Sequence, residues 1–186
     1  MTFSDVQNGD WYHEWVQCLY CHGAISGYSD GTFRPYANTT RSQMTKIVVL
    51  GLGIPINAQG APHFFDVRSD NPFYPYVETA ANANIVSGYE DRTFRPYTYV
   101  TRGQLSKIVV SAAILMYHWP LITPSLPSFR DVGTDDAFYS FVETAVCHSV
   151  LTGYSDGTFR PGAEATRAQI AKIVCLTVTN TSSCGQ

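Results

Sequence analysis

Charge is scarce in this chain. Only 15% of its 186 residues are Asp, Glu, Lys or Arg, and the net balance is −3. A chain without a basic surplus lacks the electrostatic footprint of a nucleic-acid binder. Long apolar runs are missing too. The most apolar stretch, Ala112 to Met116, falls far short of the roughly 20 residues that span a bilayer. No signal-peptide pattern stands at the N-terminus; the expectation is that the chain begins after one or that Met1 is an added start. There is no nucleophile–base pair, no glycine-rich phosphate loop and no catalytic carboxylate pair, so an enzyme is not expected. No defined metal-ligand set stands out, and no cofactor is expected.

What the chain does contain is one stretch written three times. It reads SGYSDGTFRPYANTTRSQMTKIVV from Ser26, SGYEDRTFRPYTYVTRGQLSKIVV from Ser87 and TGYSDGTFRPGAEATRAQIAKIVC from Thr152. Adding 61 to Asp5, Gly27 and Arg41 gives Asp66, Gly88 and Arg102; adding 65 more gives Asp131, Gly153 and Arg167. Self-similarity at a fixed period marks a repeat architecture, in which units too small to bury a core alone share one. The expected units are 1–51, 62–112 and 127–178, with a loose tail over 179–186.

Each unit opens with Phe-x-Asp-Val and a short polar loop. An apolar pattern at helical spacing follows: Tyr12, Trp15, Val16, Leu19, then Phe73, Tyr76, Val77, Ala80, then Phe138, Phe141, Val142, Ala145. Positions i, i+3, i+4 and i+7 form one face of an amphipathic helix. On that pattern Trp15, Tyr76 and Phe141 read as core. Gly23, Asn84 and Ser149 stand where this helix stops, and Gly and Asn suit a left-handed C-terminal cap better than Ser. Asp30, Asp91 and Asp156 then close a turn through side-chain to backbone hydrogen bonds. A second helix starts at Thr40-x-x-Gln43, Thr101-x-x-Gln104 and Thr166-x-x-Gln169, three capping boxes with Thr as N-cap. Two helical patterns per unit predict an all-α fold with about six main helices.

Phe-x-Asp-Val, an aromatic helix, Gly-Tyr-x-Asp-Gly-Thr-Phe-Arg-Pro and Thr-Arg-x-Gln, in that order three times, resemble the S-layer homology family over nearly the whole chain. The resemblance implies a pseudo-threefold helical bundle. It also implies non-covalent attachment at the cell surface to a cell-wall polysaccharide, often one bearing anionic pyruvate ketals, in grooves between repeats. The family's Thr-Arg-Ala-Glu motif maps its key Arg onto Arg41, Arg102 and Arg167. Gln stands for Glu in all three units, which keeps the capping box and removes a charge.

The placement of positive charge points the same way. Nine of the 12 Lys and Arg occupy three repeated positions: Arg34/95/160, Arg41/102/167 and Lys46/107/172. Arg at the first helical position sits beside the positive end of the helix dipole, which disfavours a cation. An anion there would meet a bidentate donor and free backbone N–H groups together. Arg41, Arg102 and Arg167 are therefore expected to face outward as ligand sites. The structural alternative is that they pair with Asp and hold units together. If they are ligand sites, Arg→Lys is expected to weaken glycan binding with little change in stability. Arg34, Arg95 and Arg160 adjoin the Asp-bearing turn and read as structural, and the Lys as solvated. Trp11 is placed to stack on a sugar. Tyr28, Tyr89 and Tyr154 fit a groove wall or a core anchor.

Cys18, Cys21, Cys147, Cys175 and Cys184 make an odd set, which leaves at least one thiol unpaired if the rest bridge. Low charge and frequent Tyr and Thr fit an extracellular protein, and disulfides are the expected use, with Cys147–Cys175 tying the two helices of the third unit. Cys18-Leu-Tyr-Cys21-His22 also fits c-type haem spacing, a minor alternative that the other two units do not repeat. A third reading is a self-assembling surface subunit, a homo-oligomer, lattice or filament, built on sticky repeats, exposed Tyr and an unpaired Cys.

Overall fold

A computed structural model describes residues 3–179 and Cys184. Among them, six helices carry the fold: α1 (His13–Cys21), α2 (Arg41–Gly51), α3 (Tyr74–Asn82), α4 (Arg102–Tyr117), α5 (Tyr139–Cys147) and α6 (Arg167–Thr179). The described residues contain no sheet, only three isolated antiparallel bridges.

The helix boundaries follow from local chemistry. At α2, α4 and α6 the Thr hydroxyl accepts from the Gln N–H, and the Gln side chain accepts from the Thr N–H. Two otherwise orphaned donors are satisfied reciprocally at each start. Past α1, α3 and α5, Gly23, Asn84 and Ser149 take φ of +66°, +56° and +57°, the left-handed step that ends a helix. The Gly-Tyr-x-Asp turn is held by two carboxylates. Asp5 accepts from both Phe33 and Arg34 N–H at 2.7 Å, and Asp66 and Asp131 do the same one and two units on. This fork holds Arg34, Arg95 and Arg160 at φ of +60°, +58° and +59°, a region that non-Gly residues rarely occupy. Arg92 stands where the other units have Gly31 and Gly157, and it too adopts φ of +60°.

Packing does not respect the unit boundaries. α2, α4 and α6 contact one another at the centre, while α3 packs on α2, α5 on α4 and α1 on α6. Each compact lobe therefore joins the second helix of one unit to the first helix and turn of the next. Lobe 1 is α2 with residues 64–98, and lobe 2 is α4 with residues 129–163. Lobe 3 is discontinuous: α6 closes on residues 3–37. At the centre the three segments ahead of α2, α4 and α6 form a closed cycle. Thr39 N–H donates to Ala165 O, Ala165 N–H to Val100 O, and Val100 N–H to Thr39 O.

The core runs continuously through all three lobes, with Val16, Leu19, Met44, Val48, Val77, Leu105, Val109, Val142, Ile170 and Val174 fully shielded. Each such side chain contributes about 1.5–3 kcal/mol by leaving water. Trp15, Tyr76 and Phe141, read as core from periodicity, are only partly buried and sit at its edge. The Lys46 and Lys107 ammonium groups lie over Tyr76 and Phe141 at 5.4 and 5.8 Å. Helical spacing puts these rings on the inner face, but at its edge, where Tyr76 and Phe141 are met by a lysine of the adjoining helix rather than by further apolar side chains. In each turn Phe3, Phe64 or Phe129 packs on Phe33, Phe94 or Phe159. A Cβ on Gly27 would lie 2.5 Å from the Phe3 ring and 2.8 Å from Thr32 O, so only Gly fits there.

The cysteines pair differently from the sequence expectation. Cys18 bridges to Cys175 and Cys147 to Cys184, leaving Cys21 free and exposed. Cys147–Cys175 is excluded because α5 rests on α4, not on α6. The haem alternative fails as well, since Cys18 spends its sulfur on Cys175 and the His22 ring bonds to Cys18 O at 2.8 Å. Of the expected loose tail, Thr179 is still helical and Cys184 is tied to Cys147; 180–183 and 185–186 lie outside the described residues.

Candidate functional site: three grooves between lobes

The lobe arrangement leaves three concave grooves with matching walls. Between lobes 1 and 2, a cavity of about 140 Å³ is lined by Arg41, Tyr89, Gln104, Lys107 and Phe138. Between lobes 3 and 1, one of about 160 Å³ is lined by Arg167, Tyr28, Gln43, Lys46 and Phe73. Between lobes 2 and 3, one of about 210 Å³ is lined by Arg102, Tyr154, Gln169, Lys172 and Trp11. Every groove thus draws an Arg and a Tyr from one lobe, and a Gln, a Lys and an aromatic ring from the next. Gln43, Lys46 and Ile47 stand at i, i+3 and i+4, so one helix face supplies that wall.

The arginines do not face outward. Arg41, Arg102 and Arg167 are only 5%, 5% and 7% exposed. Arg41 Nε donates to Phe94 O at 2.8 Å and Nη2 to Ser87 O at 3.3 Å, and its guanidinium lies 4.6 Å from the Phe94 ring. Arg102 holds Phe159 O and Thr152 O, and Arg167 holds Phe33 O and Ser26 O, in the same way. Nor are the first N–H groups of these helices free. Arg41 and Ser42 N–H donate to Thr98 O and Pro96 O, and the pattern repeats at Arg102/Gly103 and Arg167/Ala168. The reason is the lobe-swapped packing: each N-terminus is driven into the turn of the following unit. Burial pushes all three guanidinium pKa values down. Carbonyl acceptors and aromatic faces offset the unfavourable helix dipole. The expectation that Arg→Lys would leave stability unchanged is therefore corrected, because Lys cannot keep two carbonyl bonds and a stacked plane together.

Tyr28, Tyr89 and Tyr154 are partly buried in the groove walls, each contacted by two guanidiniums. Arg34 and Arg167 lie 4.0 and 5.0 Å from the Tyr28 ring centre, and the other units repeat this. Arg34, Arg95 and Arg160 also pair with Asp30, Asp91 and Asp156 at 2.9–3.1 Å. Thr32 and Arg34 hydrogen bonds hold the Asp30 carboxyl at a pKa of about 2, and Thr158 and Arg160 do the same for Asp156. The turn beside each groove is thus a rigid ionised unit.

Sequence reasoning missed the lysines and glutamines as groove residues. Lys46, Lys107 and Lys172 read as solvated on the far side of the second helix, yet each lines a groove because the next lobe stands across from it. Threefold repetition of Lys was the available signal. Trp11 is half exposed, and it occupies the ring position that Phe73 and Phe138 hold elsewhere. Its neighbour Tyr12, the residue that aligns with those two, is buried instead and edges onto Tyr36.

The family model described as "S-layer homology domain" matches residues 2–45, 63–106 and 128–171. The chain belongs to the S-layer homology (SLH) family. Its three SLH repeats account for the pseudo-threefold all-α architecture. Relatives include an endoglucanase of Bacillus sp. (strain KSM-635), 31% identical over 92% of this chain and 18% of its own length. Cell surface glycoprotein 1 of Acetivibrio thermocellus is 30% identical over 74% of this chain and 6% of its own length. A cellulosome-anchoring protein of Acetivibrio thermocellus is 26% identical over 81% of this chain and 34% of its own length. The SLH chain therefore spans about a third or less of the length of these relatives.

Proposed function

We propose that this chain is a non-catalytic anchoring module at the cell surface that binds an anionic cell-wall polysaccharide in its three interlobe grooves. The observation that carries this reading is the threefold recurrence of one groove: a buried Arg, a Lys at the opposite wall, a Tyr, a Gln and an aromatic ring. Aromatic faces suit the apolar face of a sugar, and the amide and ammonium groups suit its hydroxyls and an acidic substituent. A negatively charged chain that concentrates its cations beside three cavities is arranged for an anion, such as a pyruvate ketal. Arg41, Arg102 and Arg167 keep lobe and groove in register while lending positive potential. Lys46, Lys107 and Lys172 meet the ligand. The names of its relatives, a surface glycoprotein and a cellulosome-anchoring protein among them, agree with a surface location.

The test is calorimetric titration with soluble wall polysaccharide, intact and after mild-acid removal of its ketal-linked pyruvate. The parent should bind the intact polymer, lose most affinity for the stripped one, and weaken as salt is raised. K46Q/K107Q/K172Q should weaken binding by about tenfold or more, since each lost contact is charge-assisted, with only the small fall in melting temperature that losing the Lys46–Tyr76 and Lys107–Phe141 contacts entails. Equal binding of intact and stripped polymer rejects the anionic reading.

A further inference from the structure

Lobe 3 is the one lobe assembled from two distant pieces of chain, and its closure is secured at a telling position. In lobes 1 and 2 the incoming linker is pinned to the outer helix by a threonine. Asn57 N–H donates to Thr79 Oγ1, and Ile122 N–H to Thr144 Oγ1, both at 2.8 Å. Further bonds hold those linkers: His63 to Glu78, Asn82 to Asn57 O, Ser128 to Glu143 and Tyr139 to Pro124 O. The unit-1 position that aligns with Thr79 and Thr144 is Cys18. No linker runs from α6 to α1, and Cys18 is bonded to Cys175 of α6 across 157 residues of sequence. At the junction without a linker, the linker pin has become a covalent strap.

The underlying interface is heterologous: the outer face of one inner helix receives the first helix of the following unit. Such an interface closes into a ring or joins one chain to the next. From this geometry we infer that, while Cys18–Cys175 is absent, the acceptor face of α6 accepts residues 3–37 of a second copy as well as those of its own chain, so that lobe 3 can be built from two chains. That state exists before the bridge forms, or after a dithiol has reduced it, the dithiol leaving as a disulfide and two thiols remaining on the protein. The bridge then fixes whichever partner is seated, own chain or neighbour. The 2–3 groove follows, because Trp11 comes from one piece and Gln169 and Lys172 from the other. This inference stands independently of what the grooves bind.

The test uses two full-length variants, each also carrying Cys21→Ser: one with Cys18→Ser, which keeps Cys175, and one with Cys175→Ser, which keeps Cys18. They are mixed in oxidised glutathione, which takes the two electrons and two protons as a bridge forms. Non-reducing peptide mapping should find Cys18 of one chain joined to Cys175 of the other, in a dimer that neither variant makes alone. If the single variants do not fold, the mixture should recover helical circular dichroism together with that cross-link. A mixture in which Cys18 and Cys175 remain unjoined, or join no more often than either joins Cys147 or Cys184, overturns the inference whether or not the single variants fold.

Discussion

Lobes 1 and 3 have the same geometry and are assembled by different means. In lobe 1, α2 and α3 are consecutive in the chain, and the linker between them is pinned by Thr79 and Glu78. In lobe 3, α6 and α1 are the last and first helices, and a disulfide does the pinning. The comparison separates two roles that sequence continuity usually merges. A linker limits how far the two halves of a lobe can separate, whereas the helix interface and the Arg–carbonyl bonds define how they sit. Lobe 3 keeps the second set intact, with Arg167 holding Phe33 O and Ser26 O, and replaces only the first.

The largest effect expected is on the strap. Cys18→Ser/Cys175→Ser should lower stability by about 5 kcal/mol on the chain-entropy view of a cross-link closing so long a loop. At this size that is roughly a 10–20 °C fall in melting temperature, read by circular dichroism. A fall of only a degree or two would mean that the interface alone closes lobe 3.

Next in size are the buried arginines. Arg41→Lys, Arg102→Lys and Arg167→Lys should each cost about 2 kcal/mol by leaving carbonyls short of a charged donor. If continuity matters, Arg167→Lys should be the most damaging of the three under reducing conditions and no worse than the others when oxidised. Denaturant midpoints with and without a dithiol would show this.

Thr79→Val and Thr144→Val remove a linker pin and should cost about 1 kcal/mol each. Their loss should make lobes 1 and 2 more sensitive to protease in the linkers, without altering the response of lobe 3 to reduction.

The smallest expected effect concerns the turns. The Asp30 and Asp156 carboxyls are held down to about 2, below the ordinary value near 4. A depressed folded-state pKa contributes stability above the unfolded pKa and loses it as pH falls through the folded one. The turns of lobes 3 and 2 should therefore stay ordered at pH 4 and loosen toward pH 2. Carboxyl carbon shifts followed by NMR would give the midpoints. Asp30→Asn should remove that local transition while leaving the one at Asp156.

The sequence was most informative where the cause is local. Capping boxes at Thr40, Thr101 and Thr166 need only four consecutive residues, and the turn closed by Asp30 needs five, so both are written in short stretches. Packing partners are not local. A repeat defines a unit only up to translation, and nothing in the periodicity says whether α5 rests on α6 or on α4. That ambiguity misplaced the Cys147 bridge, turned Arg41 outward, and put Lys46 in solvent. Arg41 finds its carbonyls, and Cys175 its partner sulfur, in a different unit, and Lys46 faces the turn of its own unit together with Arg167 of the third. Position 18 held a usable clue, since Thr, Thr and Cys at one repeat position mark a function that changes only where the chain has no linker.

The central cycle of Thr39, Val100 and Ala165 has an arithmetic consequence. Each member gives one N–H to the next and takes one from the previous, so the cycle is complete at three and has no vacant place. A stacked repeat protein can lengthen by one module because its ends stay open. This architecture cannot: a fourth repeat would find no seat, and a missing one would break two of the three bonds. In this chain, therefore, the three SLH repeats close as one set, and the single repeat, though it is the unit of sequence, does not complete the cycle by itself.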